Sequence, residues 1–150
     1  MKPELEKKLY EKYPKIFRQK DLSMQETCMC WGCACGDGWY DLLDFVCSQI
    51  QHHLEWLKNS GYEILPFAEE PKTEKWVHQL EFEQVKEKWG RLTIYFSGGD
   101  DHLEAIIHTV EGISLMFCEN CGQRGSLRTE GWYRTLCDPC FVDRKHRKSP

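Results

Sequence analysis

The sequence predicts an α+β fold in which helices pack on a small antiparallel β-hairpin or sheet, with a short module at the C-terminal end. Apolar residues of 39–57 recur every three to four positions, as in an amphipathic helix, whereas those of 80–96 alternate, as in strands. Two cysteine pairs then enclose 118–140. We expect an α+β body with an N-terminal helical arm, 1–117, and a module, 118–150, packed as one compact unit.

Three helices are predicted in the body. Residues 4–13 form the arm, which Pro14 ends because proline does not continue a helix. The clearest helix covers 39–58, and Asp37 is the predicted cap of its first turn. A third helix starts at Asp101, in a D-x-x-E sequence typical of a helix N-terminus. The apolar face of the central helix is formed by Trp39, Leu42, Leu43, Val46, Ile50, Leu54 and Leu57.

The hairpin is predicted from two alternating runs. Glu81 and Glu83 alternate with apolar neighbours, and a second alternating run covers 92–96 after a turn near Gly90. This pattern places both glutamates on the exposed face of one strand. Residues 62–73 show no periodicity and are predicted to cross irregularly between the central helix and the hairpin.

The strongest motif is a pair of Cys-x-x-Cys sequences, Cys118 with Cys121 and Cys137 with Cys140, separated by fifteen residues. Four thiolates at this spacing close a tetrahedron around Zn²⁺. A site with four protein ligands leaves no position for water, so the predicted zinc is structural. The alternative is four free thiols or two disulfides. Disulfides are disfavoured because we expect the chain to stay in a reducing compartment.

The segment between the two cysteine pairs favours a particular arrangement. Gly122 suits the left-handed corner of a zinc knuckle. Two short arms, 127–128 and 132–136, meet across Gly131 as a hairpin, and a helix is predicted from Phe141 onwards. This order is that of a treble-clef zinc module: a knuckle comes first, then a hairpin, and then the remaining ligands at the start of a helix.

A second cysteine cluster precedes the central helix and comprises Cys28, Cys30, Cys33 and Cys35. Three interpretations remain open. Some of these thiolates, Cys30 and Cys35 above all, could hold a second metal ion. Cys30 and Cys33 have redox Cys-x-x-Cys spacing, although no strand or helix is predicted to flank it directly. The third interpretation is a turn-rich loop with buried thiols, and we also assign Cys47 to the core.

Charge is unevenly distributed along the chain. Residues 1–20 include seven basic and three acidic side chains. Residues 21–117 include six basic and seventeen acidic side chains, and residues 118–150 include seven basic and four acidic ones. An acidic body with basic ends suits docking on a basic protein surface, electrostatic imitation of nucleic acid, or pairing with a second copy in a homodimer. The first residues are charged and no run of about 20 apolar residues occurs, so we expect a soluble cytoplasmic protein without a membrane partner.

Three strings of the sequence are distinctive: CWGCACGDGWYDLLD at 30–44, QVKEKWGRLTIYF at 84–96 and CENCGQRGSLRTEGWYRTLCDPC at 118–140. Together they resemble a family of small zinc-binding proteins encoded in tailed-phage and prophage genomes. The family pattern runs C-[WF]-G-x-x-C-G-D-G-W, V-K-E-K-[FW]-G-x-L, then C-x-x-C-G with G-W and T-L-C-D. Matching positions are Cys30, Cys35, Gly36, Asp37, Gly38, Trp39, Lys86, Glu87, Lys88, Gly90, Cys118, Cys121, Gly122, Trp132 and Cys137.

The resemblance covers most of 28–140 and departs from the family at three cysteines. Cys28 and Cys33 lie outside the pattern, which weakens a four-thiolate site in the first cluster. Many relatives have His where this chain has Cys140, and both residues donate to zinc. The resemblance implies a phage accessory protein acting in the cytoplasm of a bacterial host cell, and it implies no known activity.

Catalysis is not expected from the sequence. It contains no H-E-x-x-H, no G-x-S-x-G and no phosphate-binding glycine loop. An HNH-like nuclease on a treble clef would need a general-base histidine in the hairpin, and 125–136 has none. We therefore expect a non-enzymatic protein.

Two binding functions remain. The arginines and lysines of 118–150, with Trp132 and Tyr133 among them, suit a zinc module that binds nucleic acid. The preferred function is binding, and thereby inhibiting, a host protein such as a defence or nucleic-acid-processing factor. In this hypothesis Glu81 and Glu83 steer the partner, and Trp132 and Tyr133 anchor it.

Overall fold

The computed structural model describes residues 1–148, and side chains through residue 144. The helices are α1 (Pro3–Lys12), α2 (Tyr40–Asn59), α3 (Asp101–Ser114) and α4 (Asp138–Lys148). The strands are β1 (Cys33–Ala34), β2 (Glu63–Leu65), β3 (Trp76–His78), β4 (Glu81–Lys88), β5 (Arg91–Ser97), β6 (Ser126–Arg128) and β7 (Arg134–Leu136). These elements confirm the predicted α+β class. No helix within 1–148 combines the length and apolar character that a membrane crossing needs.

The main sheet has the strand order β1-β4-β5. The β4–β5 hairpin is antiparallel, as the alternating pattern predicts, and β1 adds a short parallel strand on the other side of β4. The hairpin turns at Trp89 and Gly90, whose φ angles are 55° and 80°. A two-residue turn with both φ angles positive matches the twist of the strands, but a tryptophan in this conformation is uncommon.

The edge of β5 is capped by side chains of α3. The Leu92 N–H donates to Ser114 Oγ at 2.9 Å, and the Ile94 N–H donates to Glu111 Oε1 at 2.7 Å. Glu111 is buried and also accepts from the Arg91 guanidinium at 3.0 Å. Because these amides already have partners, this part of the β5 edge does not offer them to another strand.

The core lies between α2, α3, the sheet and the N-terminal arm. The arm's Leu9 and Tyr13 are buried, and the Tyr13 hydroxyl donates to the Asp44 carbonyl at 3.0 Å, which joins the arm to α2. Cys47 is fully buried, as predicted. The predicted apolar face of α2 is buried at Trp39, Leu43, Val46, Ile50, Leu54 and Leu57, and partly buried at Leu42.

Two local predictions are wrong. Asp37 does not cap α2; it accepts the Lys2 N–H at 2.7 Å and so holds the start of the chain. The predicted start of α3 at Asp101 is confirmed, and its cap is Asp100, whose carboxylate accepts the Leu103 N–H at 3.0 Å. The segment 62–73 contains β2, which pairs in parallel with β3.

The predicted exposure of Glu81 is also wrong. A register shift between Phe82 and Gln84 breaks the alternation of β4, and Glu81 is only 2% exposed. Its carboxylate accepts two hydrogen bonds from Arg18, at 2.6 and 2.7 Å, and one from the Gln19 amide at 3.2 Å. Glu81 therefore joins the arm to the sheet and is not available to a partner, whereas Glu83 is partly exposed.

The Glu81→Gln substitution tests this correction, with Glu83→Gln as the matched control on the same strand. Glu81→Gln weakens charge-assisted hydrogen bonds at a buried position, so we expect a loss of about 2 kcal/mol in the free energy of unfolding. Glu83→Gln should change it by less than about 0.5 kcal/mol. Urea unfolding of both variants measures the difference, and equal effects would contradict the structural role of Glu81.

Candidate metal centre

The four predicted cysteine ligands lie together at the C-terminal end. The Sγ atoms of Cys118, Cys121, Cys137 and Cys140 all lie within 4.8 Å of one another. In a tetrahedron with Zn–S bonds of about 2.3 Å, neighbouring sulfurs are about 3.8 Å apart. Cys121 Sγ and Cys137 Sγ lie 3.5 Å apart, well beyond the roughly 2.05 Å of a disulfide. The four thiols are free and fit a metal ion.

The elements of 118–148 place these ligands as the spacing predicts. Residues 118–122, here called the knuckle, turn at Gly122, which has a φ of 75° and donates to the Cys118 carbonyl at 2.8 Å. The antiparallel β6–β7 hairpin then leads to Cys137, directly before α4. Cys140 lies in the first turn of α4. Two ligands therefore come from a tight turn and two from a helix start.

The thiol chemistry of the cluster suits a cation. Burial raises the pKa of the Cys118 thiol, but hydrogen bonds from the backbone of Cys137, Cys121 and Asn120 outweigh it and hold this pKa at about 7. Burial, together with the three neighbouring thiols, raises the pKa of Cys140. Four thiolates at this separation repel one another, and a divalent cation removes that repulsion because ligands bind it deprotonated.

The first cysteine cluster is arranged differently. Cys28 is exposed, and Cys30 Sγ donates to the Thr27 carbonyl at 3.2 Å. Cys33 and Cys35 are buried, and burial raises the pKa of Cys35 to about 12. Within the described residues, the Cys118 group is the one set of three or more ligand side chains close enough to share an ion. Cys30 and Cys35 do not belong to it.

The loop before α2 packs directly on the knuckle. The Gly38 N–H donates to the Glu119 carbonyl at 2.8 Å, and the Gly36 N–H donates to Glu119 Oε1 at 3.0 Å. The Trp39 indole donates to the Phe117 carbonyl at 2.9 Å. A Cβ at Gly38 would lie 2.2 Å from the Cys118 carbonyl oxygen, so no side chain fits at this contact.

The β4–β5 turn contacts the module from a second side. Thr135 is fully buried, and its hydroxyl donates to the Gly90 carbonyl at 2.7 Å. A Cβ on Gly90 would lie 2.3 Å from Leu127 Cδ1. The carboxylate of Glu119, which accepts from the loop before α2, also accepts from Arg134 of β7 at 2.7 Å. Glu119 therefore joins the body to the β6–β7 hairpin, a role that no sequence pattern indicates.

Exposed aromatic rings lie where the turn meets the module. Trp89, Trp132 and Tyr133, here called the aromatic patch, are 69%, 67% and 40% exposed. Trp89 and Tyr133 make an edge contact with ring centroids 5.9 Å apart. The Trp132 indole donates to Glu87 Oε2 at 3.1 Å. The structure thus places the predicted Trp132 and Tyr133 together and adds Trp89, which sequence reasoning missed.

The described arginines of the module already have partners within the protein. Their partners are the Phe117 ring for Arg124, Asp138 for Arg128, Glu119 for Arg134 and the Trp132 carbonyl for Arg144. These contacts hold the knuckle, hairpin and helix together. The side chains of 145–150, which complete the predicted basic tail, lie outside the described residues.

The fold and this site define the class of protein: an α+β protein with a tetracysteine metal site. In comparisons with known proteins, no family model, no curated protein and no solved structure matches the chain. Function is therefore argued from the chemistry of its own residues.

Replacement of a ligand tests the metal site. Cys118→Ser and Cys137→Ser should each abolish stoichiometric metal binding and make the segment after Phe117 sensitive to protease, because binding of a structural metal contributes folding free energy. The matched control is Cys28→Ser, an exposed cysteine of the first cluster, which should retain full metal content. Elemental analysis and limited proteolysis measure both effects; unchanged metal content in both ligand variants would refute the site.

The contact between loop and knuckle is tested by Gly38→Ala. Its Cβ meets backbone atoms that cannot rotate away, so we expect a loss of about 3 kcal/mol in the free energy of unfolding. Gly112→Ala, in the last turn of α3 with nothing within 4 Å of the new Cβ, is the matched control. It should stabilise the protein by about 0.5–1 kcal/mol. A Gly38→Ala protein as stable as the wild type would mean that the contact is absent in solution.

Proposed function

We propose that this chain is a non-catalytic binding module, stabilised by a structural zinc ion, that attaches to a host protein and blocks it. Its setting would be the cytoplasm of a bacterium, as the resemblance to phage-encoded proteins suggests. Defence factors and nucleic-acid-processing factors are the partner classes that fit a protein with an acidic body.

Zinc is the metal that the ligand set favours. Soft thiolate ligands select zinc or iron–sulfur chemistry, and four of them close the coordination sphere. The order of knuckle, hairpin and helix supports a treble-clef module. With no position left for a water nucleophile, the zinc would stabilise the module and take no part in a reaction.

The observation that carries the proposal is the aromatic patch. Large aromatic side chains dominate protein interfaces, and three of them lie exposed at one junction. They are also held in position: Glu87 accepts from the Trp132 indole, and Arg144 donates to the Trp132 carbonyl at 3.1 Å. Because these contacts restrain Trp132 before binding, less conformational entropy is lost on association.

Two further features support a binding role for the patch. Trp89 occupies a left-handed backbone conformation with a φ of 55°, where Asn, Asp or Gly is favoured. A strained tryptophan whose ring is mostly exposed contributes little to the core, which favours a role outside folding. Acidic residues remain in the proposal as long-range steering groups, without Glu81.

Capture of a partner from bacterial lysate tests the proposal. A tagged wild-type chain should retain one host protein, with and without nuclease treatment, and Trp132→Ala should weaken binding of that protein at least about tenfold, as expected for an interface hot spot. The matched control is Trp56→Ala, another exposed tryptophan. Trp39, whose indole donates to the Phe117 carbonyl, marks the end of the helix next to the module, and Trp56 lies about 25 Å from it along the helix axis.

The control should bind the captured protein as tightly as the wild type. If Trp56→Ala and Trp132→Ala weaken binding of the captured protein equally, the aromatic patch is not part of the interface. Retention that disappears after nuclease treatment would contradict a protein partner and favour nucleic acid.

A further inference from the structure

The outer face of the β4–β5 hairpin carries a second unusual group of side chains. Val85 and Ile94 are paired across the strands and buried, so they mark the inner face. The alternating pairs therefore point outward. These pairs, here called the hairpin face, are Gln84 with Tyr95, Lys86 with Thr93, and Lys88 with Arg91.

The hairpin face is basic in an otherwise acidic body. Its six side chains are neutral or positive, although 21–117 has seventeen acidic and only six basic residues. Half of those six basic residues, namely Lys86, Lys88 and Arg91, lie on this one face. A local positive potential of this kind attracts anions even when the protein as a whole is negative.

Two ammonium groups converge on one phenol ring in the hairpin face. Lys86 Nζ lies 4.9 Å from the centroid of the Tyr95 ring, and Lys88 Nζ donates to the Tyr95 hydroxyl at 3.4 Å. Among the described side chains, no carboxylate forms an ion pair with either lysine, whereas Arg91 is paired with Glu111. Lys86 and Lys88 thus offer two uncompensated positive charges at the same point.

The ligand that fits this arrangement carries phosphates and an exposed aromatic base. Two adjacent ammonium groups complement phosphate oxygens. Trp89, which follows Lys88 at the hairpin tip, is 69% exposed and offers a ring for stacking. Only unpaired bases can stack on a protein ring, because the bases of a duplex already stack on one another.

We propose that the hairpin face binds single-stranded nucleic acid, with Lys86 and Lys88 on the phosphates and Trp89 against a base. This surface differs from the zinc module that the sequence suggested, where Arg128 and Arg134 are paired with carboxylates. Trp89 belongs to both surfaces, so a protein partner on the aromatic patch and a strand on the hairpin face would compete for its ring. The assignment does not depend on that partner, because the purified chain should bind the strand by itself.

Fluorescence anisotropy with a labelled oligothymidylate tests the proposal. The wild-type chain should bind with an affinity that falls as salt increases. Lys86→Gln with Lys88→Gln removes two phosphate contacts, which lowers the salt slope by about 1.4 and the affinity roughly 25-fold at about 0.1 M salt. The matched control is Lys8→Gln with Lys15→Gln, which removes the same charge at two exposed positions of 1–20 and should change affinity less than about twofold.

A charge-conserving pair guards against an indirect effect of the substitutions. Lys86→Arg with Lys88→Arg keeps both positive charges and should retain wild-type affinity within about threefold. Any of three results would overturn the proposal. The Lys8 and Lys15 control could weaken binding as much as the Lys86 and Lys88 variant does, the wild-type chain could fail to bind at low salt, or it could bind a duplex of the same length with equal affinity. The anisotropy assay uses no host protein, so its result stands even if the partner-capture experiment fails.

Discussion

The contact on which the rest of the structure depends is the packing of the loop before α2 against the knuckle. Gly36 and Gly38 donate backbone hydrogen bonds to Glu119, which lies between the ligands Cys118 and Cys121. Binding of a metal ion at such a turn contributes folding free energy. The same turn supports the start of the longest helix, so we expect metal binding to stabilise the body as well as the module.

Three separate strings of the sequence meet at this contact. The first string supplies Gly38 and Trp39, the second supplies Gly90, and the third supplies Glu119 and Thr135. All of them meet at one junction, where Gly38 allows a backbone approach that a Cβ would prevent.

The junction also places the candidate binding groups next to each other. The β4–β5 turn is held by Gly90 against the module, which brings Trp89 to Tyr133 and leaves Lys86 and Lys88 on the adjoining outer face. The four cysteines would give a bound metal ion a closed ligand set. Closed tetracysteine sites of this kind are usually structural.

The sequence by itself determined the features that depend on neighbouring residues. Periodicity predicted the helices and the hairpin because burial of one face repeats along an element, and cysteine spacing predicted the four ligands because their geometry is local. Only the tertiary structure decided that Glu81 is buried, that Asp37 holds the chain start, and that Glu119 joins body and module. Their partners lie far away in sequence, as Arg18 does from Glu81, and no periodic pattern encodes such a pairing. Side chains of the same type therefore become structural or exposed according to contacts that form only when distant segments pack together.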